Sequence, residues 1–393
     1  MSQDRASENN SFIPVPLLDV SRDNQPLRDE LIDAMVRVFD SGQYIGGPDC
    51  QSFEQSIAQV CDTKYAVGCA SGSDALLLAL MALDIGPGDE VILPSFTFFA
   101  TASCVSRLGA TPVFVDVDIE SYNIAPELVE KAITSRTKAI IPVHLFGQCA
   151  DMDELMRIAQ ENDLYVVEDC AQSIGASYKG RKAGSIGHVG CFSFYPTKNL
   201  GGFGDAGIIT TNDADLSDRL RLLANHGMRP RYHHQEIGVN SRLDSIQAAL
   251  LNIKIKYLED WSTKRAENAR LYQTLMQRAG LNGCIVCPSA AANSEHVWNQ
   301  FTIRIPGGQR DAVRQKLAES KIGSEIYYPI PLHRQVCFSH LGFDKGSLPT
   351  TEKLSNEVLS LPIFPELRRE EIESVVGRLA EIMQVTGERR AVA

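Results

Sequence analysis

The chain has 393 residues, which is too long for one compact core and favours two domains. Its 44% hydrophobic and 22% charged residues are ordinary for a soluble protein, and a net charge of -11 without clustered basic residues disfavours nucleic-acid binding. The polar start of the chain and the lack of any run approaching about 18 apolar residues argue against a secretory signal and a membrane span.

The first two thirds of the chain alternate between helical and β-rich segments. Residues 1–12 are predicted to be disordered, and a helix is predicted over 26–41. From Lys64 onward, short apolar runs alternate with helical segments, which is typical of an α/β sheet covered by helices on both faces. The predicted strands are Tyr65–Ala70, Glu90–Leu93, Pro112–Asp116, Ala139–His144, Leu164–Asp169, Val189–Phe194 and Gly207–Thr211, and the predicted helices between them are 74–85, 97–108, 126–134 and 151–162.

The remainder of the chain is predicted to form a smaller α+β domain. Residues 241–280 carry apolar residues at helical spacing and are predicted to form long helices. The sequence thus predicts a large domain over residues 13–255 and a small one over residues 256–393. The later predicted elements are a strand over Trp298–Ile305, a helix over Asp311–Ser320, a strand over Glu325–Tyr328 and a closing helix over 366–384.

The ten cysteines are scattered and form no regular disulfide framework. Cys284 and Cys287 make one CxxC, but a zinc site of this type needs a second pair, so no metal site is predicted. We expect reduced thiols and a cytoplasmic protein.

Polar residues follow three predicted strands, at the edge where ligands gather in sheets of this kind. Gly72 and Ser73 lie between a strand and a helix, an arrangement that can bind an anion through free backbone N–H groups. A plain N-cap is the alternative for this serine-rich turn. Asp169 ends another strand, where a buried carboxylate needs a donor or a cation such as a protonated ring nitrogen. A structural Asp is the alternative there.

Two further features complete the set. The aromatic residues of PSFTFF, including Phe98, follow a third strand and are suited to stacking on a flat ring, although core packing is commoner. Lys198 precedes a glycine-rich loop, where a backbone bends tightly or lets a ligand approach closely; a solvated surface lysine is the alternative. An anion cradle, an acid, an aromatic face and a lysine together match pyridoxal phosphate.

At this point the chain resembles a known family, the DegT-type nucleotide-sugar aminotransferases, within the fold-type I pyridoxal-phosphate enzymes. The resemblance covers roughly residues 14 to 380. It is carried by the motifs SGSDALLLAL, GPGDEVILPSFTFFATA, PVFVDVD, AIIPVHLFGQCADMDEL, VVEDCAQSIGA, FSFYPTKNLGGFGDAG, GVNSRLDSIQAALL and PLHRQ. The fold it implies is a large α/β domain with a mostly parallel sheet flanked by helices, followed by a smaller α+β domain.

The resemblance also implies roles for individual residues. Lys198 forms the Schiff base with the cofactor and moves the proton, and Asp169 pairs with the pyridine nitrogen. Asn240 reaches the phosphate from the neighbouring subunit, so the active sites are shared within a homodimer. The other implied contacts are Gln172 near the ring hydroxyl, Phe98 stacked on the ring, Gly72, Ser73 and Ser193 at the phosphate, and Arg242 and His333 at the nucleotide sugar.

The predicted function is therefore transfer of an amino group, from glutamate as the expected donor, onto a keto sugar linked to a nucleotide. Two departures from the family pattern, Ala206 in GDAG and Ser73 where Thr is common, are both small and compatible with this chemistry. A lyase or dehydratase on the same scaffold and a non-catalytic regulatory protein that keeps the fold remain as alternatives. Lys198 favours transamination, since relatives that dehydrate carry His there.

Overall fold

The structure, a computed structural model, describes residues 12–388, with side chains to residue 383. The segment predicted to be disordered, residues 1–12, lies outside this range except for Phe12, whose ring packs under the Arg378 guanidinium. Within the described residues, no helix combines the length and the apolar character that crossing a membrane requires.

The helices and strands follow one another in the predicted alternating order. The helices are α1 Val20–Asn24, α2 Arg28–Ser41, α3 Pro48–Val60, α4 Gly72–Ala82, α5 Ala100–Arg107, α6 Pro126–Ala132, α7 Met152–Glu161, α8 Ala214–Ala224, α9 Ser245–Lys254, α10 Leu258–Arg278, α11 Arg310–Glu319, α12 Pro349–Glu357 and α13 Arg369–Glu388. The strands are β1 Tyr65–Cys69, β2 Glu90–Pro94, β3 Thr111–Val115, β4 Thr137–Ile140, β5 Tyr165–Asp169, β6 Ser177–Tyr178, β7 Arg181–Lys182, β8 Val189–Ser193, β9 Gly207–Thr211, β10 Ser294–Glu295, β11 Phe301–Arg304 and β12 Val358–Leu361.

Seven strands form the main sheet, in the order β1-β9-β8-β5-β4-β2-β3. Strand β9 runs antiparallel to both of its neighbours, while the pairs β8–β5, β5–β4, β4–β2 and β2–β3 are parallel. The strands are almost continuously buried, as a sheet covered on both faces requires. This confirms the predicted α/β fold with a mostly parallel sheet.

Helix α4 is buried nearly all round, since each residue from Ala75 to Leu80 is enclosed. It packs against strands β8 and β9 on one side and against helices α5 and α8 on the other. A helix in such a position needs no polar face, which explains its uniformly apolar sequence. Its N-terminus is thereby fixed at the edge of the sheet where β8 ends.

A second apolar cluster joins the C-terminal elements to the first residues of the described chain. Strands β11 and β12 pair antiparallel, and helices α10, α11 and α13 pack around them. Val15 pairs with Ile322 and belongs to this cluster, although the predicted domain limits assign it to the large domain. The predicted boundary near residue 255 stays a prediction.

Several element limits differ from those predicted. The strand predicted over Glu325–Tyr328 is wrong: only Glu325 exchanges backbone hydrogen bonds with Ser360, and the chain then turns toward the cleft. Helix α5 begins at Ala100 rather than 97, because the preceding residues form a loop. Strand β4 ends at Ile140, before Pro142, which has no N–H to offer the ladder.

Candidate active site

Several of the predicted site residues, among them Asp169, Ser193 and Lys198, lie at or next to the edge of the main sheet where β5 and β8 end. Strand β5 ends at Asp169 and strand β8 at Ser193, and both strands point the same way. The N-terminus of α4 lies beside Ser193. Parallel strands bring their carboxyl ends together, so residues far apart in sequence meet in one cleft.

Asp169 is buried and its carboxylate is hydrogen-bonded on both oxygens. Oδ2 accepts from the Thr101 hydroxyl at 2.8 Å, and Oδ1 accepts from the Ala171 backbone N–H at 3.2 Å. Burial raises the pKa of the Asp169 carboxyl, and these two hydrogen bonds together with the charge of Lys198 oppose the rise. The carboxylate is therefore held in place and retains lone pairs for a further donor.

Lys198 is half-buried in the same cleft. Its backbone N–H donates to the Tyr195 carbonyl at 2.9 Å, which closes a turn directly after β8. Burial lowers the pKa of the Lys198 amine to about 8, against the opposing attraction of Asp169. An amine with a pKa near neutrality is available as the neutral nucleophile that Schiff-base chemistry needs.

The glycines after Lys198 serve close packing of the backbone. A Cβ at Gly201 would lie 2.3 Å from the Pro196 carbonyl oxygen, so no larger residue fits without displacing the turn that carries Lys198. The side-chain amine of Lys254, on α9, donates a hydrogen bond to the Gly201 carbonyl. Of the two sequence interpretations of this loop, the tight bend is the one that its geometry supports.

The N-terminus of α4 presents the residues predicted to bind phosphate. Ser71 is the N-cap and accepts from the Asp74 N–H at 3.1 Å, so the capping serine is one residue before the helix. Gly72 faces Ser193, because a Cβ at Gly72 would lie 2.6 Å from the Ser193 Cβ. Ser73 is exposed in the first turn. The first-turn N–H groups have no partner within the helix and provide an anion-binding end.

Gln172 and Phe98 meet a residue that the sequence analysis did not assign to the site, Tyr328. The Gln172 amide accepts from the Phe146 N–H at 2.6 Å and donates to the Tyr328 hydroxyl at 3.2 Å. The Phe98 ring lies 6.2 Å from the Tyr328 ring and is 58% exposed, so one face remains free. From the sequence, Tyr328 was predicted only as the last residue of the strand Glu325–Tyr328.

The remaining predicted residues lie differently. Asn240 is exposed, and its backbone pairs with that of Asn225. Arg242 is half-buried and donates to the Asn225 side chain at 2.9 Å. His333 is buried, with Nδ1 at 2.7 Å from the Ser95 hydroxyl and Nε2 at 3.3 Å from Glu352. Its contact with a nucleotide sugar stays a prediction that these hydrogen bonds do not favour.

A second buried carboxylate, Glu168, lies beside Asp169 but faces away from the cleft. Its oxygens accept from three backbone N–H groups between Gly184 and Gly187 and from His144 Nε2 at 2.8 Å. Since His144 Nδ1 accepts from the Ala150 N–H, the ring proton must lie on Nε2. Cys170 lies near both side chains, but the fully used carboxylate indicates a structural network rather than a metal site.

Two curated proteins illustrate what the chain is similar to. A pleiotropic regulatory protein from Geobacillus stearothermophilus is 45% identical over 93% of this chain and 98% of its own length. A UDP-N-acetyl-3-dehydro-α-D-glucosamine 3-aminotransferase from Acidithiobacillus ferrooxidans is 46% identical over 95% of this chain and 98% of its own length.

Two solved structures share the fold over nearly the whole chain. DesV from S. venezuelae, crystallised in complex with a ketimine intermediate, superposes with a TM-score of 0.90 at 45% identity and covers 94% of this chain and 98% of its own. NtdA from Bacillus subtilis with bound cofactor PMP gives a TM-score of 0.87 at 31% identity, over 96% and 87%. Residues 25–380 match the DegT/DnrJ/EryC1/StrS aminotransferase family, and the chain belongs to that family.

Proposed function

We propose that this chain is a pyridoxal-phosphate-dependent aminotransferase that transfers an amino group to a keto sugar linked to a nucleotide. The observation that carries the proposal is that Lys198, whose amine has a pKa of about 8, lies near enough to the buried carboxylate of Asp169 for the two charges to attract each other. The relative from A. ferrooxidans, named as an aminotransferase of a UDP-linked keto sugar, supports this substrate class.

The residues present fit pyridoxal phosphate on the chemistry of their donors. The N-terminus of α4, with Gly72 and Ser193, offers N–H and hydroxyl donors to a phosphate. Asp169 keeps unused lone pairs for a protonated ring nitrogen, and the exposed face of Phe98 suits a flat ring. When bound, pyridoxal phosphate supplies an electron sink that stabilises negative charge on the carbon bearing the amine.

The side chains of this protein supply the remaining steps. In its neutral form the Lys198 amine would be the nucleophile that holds the cofactor, and as a free amine it would be the base that accepts and returns a proton. Asp169 offers a negative charge whose position is fixed by hydrogen bonds from Thr101 and Ala171. Gln172, held between Phe146 and Tyr328, presents an amide of fixed orientation beside it.

The finer parts of the proposal concern partners. We propose glutamate as the amino donor and a homodimer in which the exposed Asn240 reaches the phosphate of the partner's site. Arg242, whose Nε has no partner among the described residues, is the candidate contact for the nucleotide diphosphate. All ten cysteines are free thiols, which supports a reducing compartment such as the cytoplasm.

Spectroscopy and substrate turnover test the proposal together. The purified chain with pyridoxal phosphate should show a yellow absorption band that shifts on adding glutamate and is restored by UDP- or dTDP-linked keto sugars. Lys198→Ala should lose the band and all turnover, whereas Lys256→Ala, at an exposed lysine, should keep both. A colourless protein that ignores added cofactor contradicts the proposal, and product formed without an amino donor favours a lyase or dehydratase.

A regulatory protein without catalysis is the second candidate, because the relative from G. stearothermophilus carries a regulatory name. The retention of Lys198, Asp169 and Gln172 in one cleft disfavours it, since a binding protein has no need for a lysine of lowered pKa. The same spectral titration with glutamate separates the two candidates. A bound cofactor that glutamate does not convert supports the regulatory alternative.

A further inference from the structure

The carboxylate of Asp169 is the end of a short chain of hydroxyl groups. Thr101 Oγ1 lies 2.8 Å from Asp169 Oδ2, and Thr97 Oγ1 lies 3.1 Å from Thr101 Oγ1. All three side chains are buried. Thr97 and Thr101 are four residues apart on the loop and first turn of α5, in the segment where the sequence analysis considered only the aromatic residues.

The direction of these hydrogen bonds follows from the charge at the end of the chain. An ionised carboxylate only accepts, so the Thr101 hydroxyl must donate its proton to Asp169. The Thr101 oxygen is then an acceptor for Thr97, which donates in turn. Each hydroxyl in this order strengthens the next as a donor, and a hydrogen bond to an ionised group is stronger than a neutral one.

The Thr101 hydroxyl matters for the charge of Asp169 because few other groups favour the ionised carboxylate. Burial favours the neutral acid, and the Ala171 N–H is the other hydrogen bond to the carboxylate among the described residues. A neutral, protonated Asp169 could not attract the proton of a ring nitrogen. Removal of the Thr101 hydroxyl would leave the charge with one neutral donor, at 3.2 Å, and the longer-range attraction of Lys198.

We propose that Thr101, backed by Thr97, is a positioning residue that keeps Asp169 ionised and oriented so that its carboxylate can pair with the protonated ring nitrogen of pyridoxal phosphate. This inference rests on the proposed function, because it needs that cofactor in the cleft. Thr101 does not itself touch the cofactor under this proposal and acts through Asp169.

The test compares two cofactors that differ only at the ring atom facing Asp169. The full-length chain is freed of cofactor, and the dissociation constants of pyridoxal 5'-phosphate and of 1-deazapyridoxal 5'-phosphate, which has carbon in place of that nitrogen, are measured by protein fluorescence. Thr101→Val should weaken pyridoxal phosphate about tenfold or more, the factor for a lost hydrogen bond to a charged group, and should leave the deaza compound nearly unchanged. Thr101→Ser, which restores a hydroxyl, should restore the preference.

Thr210→Val is the matched control. Thr210 is also buried and donates through its hydroxyl to a backbone carbonyl, at 2.7 Å, but on strand β9 away from Asp169. The Thr210→Val variant should have a lower melting temperature but the same ratio of dissociation constants for the two cofactors as the wild type. If Thr101→Val does not fold, Thr101→Ala provides a second variant without the hydroxyl.

The outcomes separate the inference from the proposed function. Equal weakening of both cofactors by Thr101→Val, or no weakening of either, overturns the role assigned to Thr101. A wild-type chain that binds neither cofactor overturns the proposed function and the inference with it. A loss confined to pyridoxal phosphate and reversed by Thr101→Ser supports both.

Discussion

The side-chain amide of Gln172 donates to the hydroxyl of Tyr328 at 3.2 Å and thereby joins the loop after β5 to a segment 156 residues later. The same amide accepts from the Phe146 N–H, so its orientation is fixed by two partners. Tyr328 also lies against Phe98, at 6.2 Å between ring centroids. One tyrosine therefore orders two residues that the sequence analysis assigned to the cofactor.

Tyr328→Phe should remove the acceptor of the Gln172 amide while keeping the ring. We expect a loss of about 1 kcal/mol in the free energy of unfolding and weaker retention of cofactor, because the amide donor of the buried Gln172 is left unpaired. Urea unfolding and dialysis of the loaded protein measure the two effects. Tyr272→Phe is the control, since the Tyr272 hydroxyl is buried without a partner among the described residues and its removal should not destabilise the fold. Equal behaviour of the two variants would refute the role of Tyr328.

The sequence predicted those site residues that lie at the ends of strands or at the start of the helix packed on them. Asp169 and Ser193 end β5 and β8, and Gly72 opens the helix that packs on β8, so the sheet itself brings them together. The predicted strand over Glu325–Tyr328 failed for the opposite reason. Only Glu325 finds a pairing partner, and the contacts that Tyr328 makes instead depend on a loop distant in sequence.

Side-chain hydrogen bonds between segments far apart in the chain could not be predicted from the sequence either. The burial of His333 between Ser95 and Glu352 depends on how the segment between α11 and α12 packs against the loop after β2. The Thr101 hydroxyl likewise reaches the Asp169 carboxylate only because the fold brings the start of α5 to the end of β5. A motif fixes which residue types are present, whereas the packing of its neighbours decides which atoms remain free for a ligand.

Lys198→Met should stabilise the cofactor-free protein at pH 6 to 7. The pKa of Lys198 falls from its ordinary 10.5 to about 8 on folding, so below pH 8 the folded state carries a charge that burial disfavours. The unfolded state binds more protons between about pH 8 and 10.5, and wild-type stability therefore rises relative to the variant across that window. Melting temperatures of both proteins from pH 6 to 10.5 measure the difference. A constant difference across this range would contradict the lowered pKa.

Gly201→Ala should disrupt the turn that carries Lys198. The added methyl group would meet the Pro196 carbonyl at 2.3 Å, and that backbone cannot yield without moving Lys198. We expect a loss of about 1–3 kcal/mol in the free energy of unfolding, which is typical of overpacking. We also expect a loss of turnover, because Lys198 is displaced. Gly283→Ala is the control, because a methyl group there meets no atom within 4 Å. Normal turnover in Gly201→Ala would show that the turn tolerates displacement.

Glu168→Gln should destabilise the fold although it changes no atom of the cleft. Both carboxylate oxygens accept two hydrogen bonds, so an amide NH₂ in either place would face donors. The expected loss exceeds about 2 kcal/mol, since buried donors lose their acceptor. Denaturant unfolding measures it, with Glu319→Gln at an exposed helix position as the control. A neutral effect would mean that His144 and the loop rearrange freely around the amide.

Mixing two inactive variants tests whether Asn240 serves the partner's active site. Lys198→Ala lacks the nucleophile, and Asn240→Ala is expected to lose the phosphate contact and with it most of its cofactor. If each active site combines Lys198 of one subunit with Asn240 of the other, a mixed dimer contains one intact site. Equal amounts, exchanged to a random mixture, should regain about a quarter of the wild-type activity, as half of the dimers are mixed and each has one working site. Activity should return only after subunit exchange, and the same mixture cross-linked beforehand should stay inactive. Absence of recovery after demonstrated exchange would contradict the shared site. It would mean that the exposed Asn240 serves the active site of its own subunit, or no active site.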